Sequence, residues 1–219
     1  MWMSKLVLNP RRAVGAGLYD THRLLWNLFA DTPDRKRDFL FREQDEPCTF
    51  LTVSQRQPED TAGCWSIQVK PYAPKLQAGD AIAFSLRANA VIKRNENGKQ
   101  RRFDVVQDAC LRMKEQNQDA ELPTRAEIAQ EAGARWLLTR QQALGLAIEP
   151  ASILVEGCKV ERFVKRATRD ARSSAVSLGI MDLQGTAEVE DPQQLLQALF
   201  QGVGPAKGFG CGLLLIRRL

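Results

Sequence analysis

The order of short apolar runs in the first 70 residues constrains the fold more than any single motif does. Trp2–Leu8 is an apolar run ended by Asn9-Pro10 and reads as a strand. Residues 18–29 carry a helical period, with Leu18, Leu25, Leu28 and Phe29 in one apolar stripe. Residues 39–42 and 48–54 are rich in β-formers, and 43–47 make the turn between them. Residues 55–64 are polar and read as a short helix or a loop. Residues 65–70 alternate as a half-buried strand does, until Pro71 and Pro74 stop them. Strand, helix, strand, strand, weak helix, strand is the ferredoxin-like order.

The second half repeats that order with additions. Gly79-Asp80 opens a long strand over 81–92, which runs into a basic stretch over 93–102 with an Asn-Gly turn signal inside it. Residues 105–116 are helical by pattern. Thr124-Arg-Ala-Glu127 is a capping box that starts a helix running to about Leu144 and closed by Gly145. Residues 153–164 and a stretch within 175–189 read as strands, Asp191-Pro192 starts a helix to Phe200, and 213–216 close the chain as a strand. The expected class is α+β, with two tandem ferredoxin-like (RRM-like) βαββαβ domains. Residues 1–75 form the first and 76–219 the second, joined near 71–79.

Composition narrows the function. A net charge of +5 suits a polyanionic partner. The five cysteines, Cys48, Cys64, Cys110, Cys158 and Cys211, are scattered and odd in number, which fits buried thiols in a reducing compartment better than a disulfide framework. One histidine and no cysteine cluster leave no basis for a zinc or iron site, so no cofactor is expected. No window holds the ~18 apolar residues of a membrane span, and residues 1–8 do not resemble a secretory signal. A soluble, cytoplasmic protein is expected.

The single histidine, His22, falls on the shoulder of the apolar stripe in the 18–29 helix, with Tyr19 one turn back. This pairing has two readings: a core-edge histidine with its hydrogen bonds satisfied, or a catalytic imidazole beside a phenol at the edge of a buried face. Near the C-terminus, residues 202–212 hold five glycines and Lys207 between a helix and the final strand. Glycines let a backbone approach a ligand closely, and a lysine among amides suits phosphate. The segment is neither a P-loop nor a dinucleotide fingerprint, and it is also compatible with a plain connection. Lys93, Arg94, Lys99, Arg101 and Arg102 make one basic run; Arg162, Lys165, Arg166, Arg169 and Arg172 make a second, placed between two strands as a hairpin tip would be. Each run suits either a phosphate backbone or a solvated loop. Arg11 and Arg12 lie in the loop before the histidine helix, and Arg23 follows His22 directly.

Several of these pieces together resemble the CasE family, the CRISPR-associated endoribonucleases that process crRNA in type I-E Cascade. The resemblance lies in Met1-x-x-Ser4-Lys5-x-x-Leu8, in Tyr19-x-x-His22-x-x-Leu25-Trp26-x-Leu28-Phe29, and in Arg37-Asp-Phe-Leu-Phe41. It continues in Leu86-Arg-Ala-Asn89 and in Gly202-x-Gly-Pro-Ala-Lys-x-x-Gly-Cys-Gly-Leu213, the most specific block. It implies a metal-independent ribonuclease that cuts on the 3′ side of the CRISPR repeat hairpin and keeps its product within a complex of other Cascade subunits.

The residues suit that chemistry. RNA is cut when its own 2′-OH attacks the adjacent phosphate, so the protein need only assist proton transfer, align the 2′-oxygen and neutralise the phosphorane. His22 is the one side chain whose ordinary pKa lies near neutrality, and Tyr19 can hydrogen-bond the 2′-oxygen or the phosphate. Arg11, Arg12, Arg23, the two basic runs, Lys207 and the glycines Gly204, Gly208 and Gly210 are the candidate RNA contacts. An A-form stem favours shape and phosphate contacts over base reading. Two competitors remain: a non-catalytic RNA-binding module with tandem RRM-like folds, and a Cascade subunit without ribonuclease activity. An RRM needs exposed aromatics on its central strands, and the only fragment near that pattern, Gly208-Phe-Gly210, is placed in a loop.

Overall fold

The computed structural model describes residues 1–9, 11, 18–29, 37–96, 98–116, 123–165 and 174–219. In the first half, β1 (Trp2–Leu8), α1 (Leu18–Asn27), β2 (Phe39–Glu43), β3 (Thr49–Ser54) and β4 (Trp65–Pro71) follow one another. The strands form an antiparallel sheet in the order β2-β3-β1-β4, the ferredoxin-like arrangement. Leu6 stands opposite Phe50, and Thr52 lies between Ser4 on β1 and Phe41 on β2. Side chains alternate along a strand, so one face presents Leu6, Leu8, Phe39, Phe41 and Phe50. That face closes on Leu25, Leu28 and Phe29 of α1 and the turn after it. A ten-residue helix is marginal alone. Burial of each such side chain contributes roughly 1.5–3 kcal/mol, so packing holds α1 in place. Residues 55–64 are a loop rather than a helix. Asp60 organises it, its carboxylate accepting from the amides of Ala62 (3.1 Å) and Trp65 (2.7 Å).

The second half contains β5 (Ala81–Ala88), β6 (Val91–Glu96), β7 (Lys99–Asp104), α2 (Val105–Gln116), α3 (Arg125–Leu138), α4 (Gln141–Leu144) and β8 (Leu146–Ile148). After these come β9 (Leu154–Lys165), β10 (Ser174–Val189), α5 (Pro192–Gln201) and β11 (Leu214–Arg218). The sheet order is β11-β5-β10, and β10 carries β9 along residues 174–184 and β8 along 187–189. Taken as β11-β5-β10-β9, the four long strands repeat the order of the first sheet, with β6 to β8 and three helices inserted between β5 and β9. The chain therefore folds as two ferredoxin-like units.

Three expected boundaries differ. The strand expected over 81–92 ends at Ala88. There Asn89, 8 % exposed, donates from Nδ2 to the carbonyl of Gly179 at 2.7 Å, and the chain leaves the sheet. The basic stretch 93–102, with its Asn-Gly turn signal, forms the greater part of a separate two-stranded hairpin, β6–β7, rather than the end of the 81–92 strand. The helix expected over 124–144 starts at its capping box, Thr124 with Glu127, but breaks after Leu138. Arg140 folds back over the Trp136 ring, 4.1 Å from its centroid, and donates to the Trp136 carbonyl at 2.6 Å.

The two units are packed on each other. Leu40 and Val53, on the face of the first sheet away from α1, pack with Leu213, Phe200 and Leu215. Beside them Arg42 of β2 donates to Ser85 Oγ at 2.7 Å and pairs with Asp182 at 3.5 Å. All five cysteines are free. Among the described residues no helix is long and apolar enough to cross a membrane.

Candidate active site and nucleic-acid interface

The site is built where the glycine-rich loop of the second unit meets α1 and β2 of the first. A short 3₁₀ turn, Lys207–Phe209, lies against both elements. Gly202, Gly204, Gly210 and Gly212 all have φ between 74° and 90°, a region that side chains with a Cβ rarely enter. The backbone of Gly210 sits on the Phe41 ring and that of Gly204 on Trp136. Within the loop, the Val203 amide bonds the Gly212 carbonyl (2.8 Å), the Phe209 amide the Ala206 carbonyl (2.8 Å), and the Gly212 amide the Arg87 carbonyl (2.7 Å). Two of these bonds close the loop on itself and the third ties it to β5. The loop is a shaped platform that carries Lys207 and Phe209.

His22 lies between the two units. Its ring is 5.8 Å from Phe209 and 6.3 Å from Phe41, roughly parallel to both, and 6.2 Å from Trp26 at a tilt. Trp26 leans on Phe39 (5.8 Å), which stacks on Phe29 (4.3 Å), so an aromatic chain runs from the imidazole into the core. The ring is half-buried, and its Nε2 finds no hydrogen-bond partner among the described residues. Burial lowers the His22 pKa from 6.5, and the positive charge of Arg37 lowers it further.

Arg37 is the residue that sequence reasoning did not place in the site. Its guanidinium lies 5.8 Å from the Trp26 ring centroid and 5.9 Å from that of Phe39. Burial lowers its pKa. Burial and Arg37 together lower that of Lys207, the next cation along. Its only sequence signal was its place in the 37–41 motif.

The other expected contacts sort as follows. The backbone of Tyr19 belongs to α1, but its side chain lies outside the described residues, so its meeting with His22 is not described. Arg11 and Arg23 are exposed; Arg12, Arg166, Arg169, Arg172 and the Lys165 side chain lie outside the description. On β6–β7, Lys93 stands directly opposite Arg102 and Arg94 opposite Arg101. Arg94 is held by Asp108 of α2 and lies over Phe103. It braces the hairpin rather than standing free. Lys93, Lys99, Arg101 and Arg102 are exposed. Arg162, also exposed, faces the side of β9–β10 that carries Ser177 and Gly179. The base of β7 reaches that side, since Asp104 packs on Gly179. The opposite side of β10, through Leu178 and Ile180, packs with Phe209 and Cys211. Phe209 thus links the histidine to the base of the second basic hairpin. Among the described residues no group of three His, Cys, Asp or Glu side chains is placed to hold a metal.

Two ferredoxin-like units, with a half-buried imidazole and the cations Arg37 and Lys207 where they meet, define the class of protein to which this chain belongs: α+β, of tandem ferredoxin-like units. A family of CRISPR associated proteins matches residues 1–218, and this chain belongs to that family, in its CasE branch. It is 32% identical over 218 residues to the CRISPR system Cascade subunit CasE of Escherichia coli K12, covering 98% of both chains. It is 27% identical over 242 residues to the CRISPR-associated endoribonuclease Cse3 of Thermus thermophilus, again covering 98% of both. A solved CRISPR endoribonuclease Cse3 bound to a 19-nucleotide RNA superposes with a TM-score of 0.70 at 26% identity, covering 99% of this chain and 98% of the other.

Proposed function

We propose that this protein is an endoribonuclease that cleaves CRISPR repeat RNA on the 3′ side of its stem-loop and keeps the product within a Cascade complex in the cytoplasm. The observation that carries the reading is the half-buried imidazole of His22, its Nε2 without a partner among the described residues, held between the two units beside Arg37 and Lys207. Its relatives named CasE and Cse3 support the substrate class.

In the proposed step the neutral imidazole takes the proton of the 2′-OH. The 2′-oxygen bonds to phosphorus as the bond from phosphorus to the 5′-oxygen breaks, and the leaving oxygen receives a proton from the imidazolium or from solvent. The products are a 2′,3′-cyclic phosphate and a 5′-OH; no water or metal is consumed. Tyr19 would hydrogen-bond the 2′-oxygen or the phosphate. Lys207 would face the phosphate, with Gly204, Gly208 and Gly210 shaping the loop that carries it. Arg11, Arg12, Arg23, Lys93, Lys99, Arg101 and Arg102, and the 162–172 segment, would follow the hairpin backbone.

The RRM-like alternative needs aromatics exposed on central strands, whereas Phe50 of β3 and Phe84 of β5 are 3 % and 4 % exposed. The deciding experiment is incubation of the purified protein with a labelled repeat hairpin in EDTA, followed by analysis of the ends. A 5′-OH with a cyclic or 3′-phosphate is expected. A 3′-OH with a 5′-phosphate, or loss of cutting on chelation, overturns the mechanism.

A further inference from the structure

The geometry assigns to Arg37 a direct role at the scissile phosphodiester: its guanidinium donates to the non-bridging oxygens as the pentacoordinate phosphorane forms. This inference rests on the ribonuclease reading and adds a residue to it. Arginine suits the task because its planar fork of donors matches two phosphate oxygens at once.

Four observations converge on this residue. The guanidinium lies over the Trp26 and Phe39 rings, 5.8 and 5.9 Å from their centroids. It lies near enough to His22 and Lys207 for its charge to act on both. No carboxylate among the described residues pairs with it, and its buried Nε has no hydrogen-bond partner. A cation withdrawn from water without a counter-ion is costly, and an anionic ligand at this position would offset that cost.

The fourth observation is Gly208. A Cβ built there would collide with Nη2 of Arg37 and stand 3.0 Å from Cζ. The φ of Gly208 is not positive, so no backbone strain demands glycine here. The missing side chain leaves room for the guanidinium. A loop from one unit thus seats an arginine from the other beside the only histidine.

Among the described residues, the charged groups on or beside the elements that meet at His22 are Arg23 on its own helix, Arg37 and Asp38 ahead of β2, and Lys207 on the loop. Arg42 of β2 is turned away toward Asp182. Of these, Arg37 is the one whose charge lowers the histidine's pKa. Its removal therefore has two separable consequences. The phosphorane loses a donor, and the imidazole gains protons at higher pH.

The test compares the parent protein with Arg37→Gln, Arg37→Lys and Gly208→Ala on the repeat hairpin. Affinity is measured with a hairpin carrying 2′-deoxyribose at the cut site. Arg37→Gln should slow single-turnover cutting about 10²- to 10³-fold, the usual loss for one preorganised donor. It should also move the acid limb of the kcat/KM profile upward, toward 6.5. Arg37→Lys keeps the charge, so the limb should stay while the rate recovers only in part. Gly208→Ala keeps the arginine but displaces it, and should also slow cutting. A parent protein that does not cut overturns the ribonuclease reading and this inference with it. A parent that cuts, beside an Arg37→Gln protein of parental rate and unmoved limb, overturns the arginine's role alone. Slow cutting with an unmoved limb and full rescue by lysine marks a structural role and also overturns it.

Discussion

Arg87 and Asp182, opposite each other on β5 and β10, are joined by two parallel hydrogen bonds, Nε to Oδ1 at 2.9 Å and Nη2 to Oδ2 at 3.0 Å. Arg42 of the first sheet reaches the same carboxylate at 3.5 Å, and Arg87 returns a bond to the Glu43 carbonyl at 3.3 Å. One acid therefore bridges an arginine from each unit at the seam that also seats the glycine-rich loop. Asp182→Ala would leave two largely buried guanidiniums without that partner. It should lower the unfolding free energy by roughly 3 kcal/mol, the low end for a broken buried pair, because Asp182 retains 21% exposure. Urea unfolding checks this, and a loss below about 1 kcal/mol would show that the seam is held by apolar packing alone.

His22→Ala should slow cutting about 10²- to 10⁴-fold, the usual contribution of a general acid or base, with hairpin affinity nearly unchanged. The ring touches aromatic side chains rather than a network of its own, so its loss should leave the fold intact. Tyr19→Phe keeps the ring and removes only the hydroxyl, and should cost less. Single-turnover assays and circular dichroism decide the matter together. A folded His22→Ala protein that cuts at the parental rate refutes the assignment.

The strand order, the histidine helix, the Thr124 capping box and the Asp191 cap were all legible because each is a local pattern. The breaks were not. Asn89 ends β5 by bonding the Gly179 carbonyl, and Arg140 ends α3 by covering Trp136; neither contact has a sequence period. The ferredoxin-like unit lost its second helix for a local reason, the Asp60 turn, which the polar composition of 55–64 left undecided. At the site, His22 stood out as the only histidine among 219 residues. Arg37 did not, because one arginine among many is conspicuous only once Gly208 and Trp26 are seen to enclose it.

The pH dependence follows from the two causes acting on His22. Burial and the charge of Arg37 both disfavour the imidazolium, so the ring of the free protein is largely neutral at pH 7, as a general base must be. The kcat/KM of cutting should fall as pH drops through a midpoint below 6.5. A midpoint above 6.5 would show that the free site stabilises the charged ring. Stability carries the same sign. The contribution of the neutral ring is fully present above the unfolded value and is lost as pH falls through the lower folded one.

The two basic hairpins differ in how their cations are held. Lys93 and Arg102 are directly opposed across β6–β7, both exposed, with no carboxylate among the described residues paired to either. Like charges in that position repel and destabilise a hairpin, and a phosphate lying between them would relieve the repulsion. Replacing both with alanine should weaken hairpin binding and flatten its dependence on salt. The slope of log K against log salt should shrink by about 0.7 to 0.9 for each phosphate the protein no longer neutralises. Arg94→Ala should act differently, because Arg94 is already committed to Asp108 and Phe103. It should lower stability and leave the slope nearly unchanged. Alanine at Arg162, Lys165, Arg166, Arg169 and Arg172 should flatten the slope by several such steps, since that segment springs from the strands that pack with Phe209 beside His22. Binding titrations over a range of salt concentrations measure all three. If the Lys93 and Arg102 replacement leaves affinity and slope at parental values while the second segment changes both, the RNA follows β9–β10 alone and β6–β7 is a solvated arm.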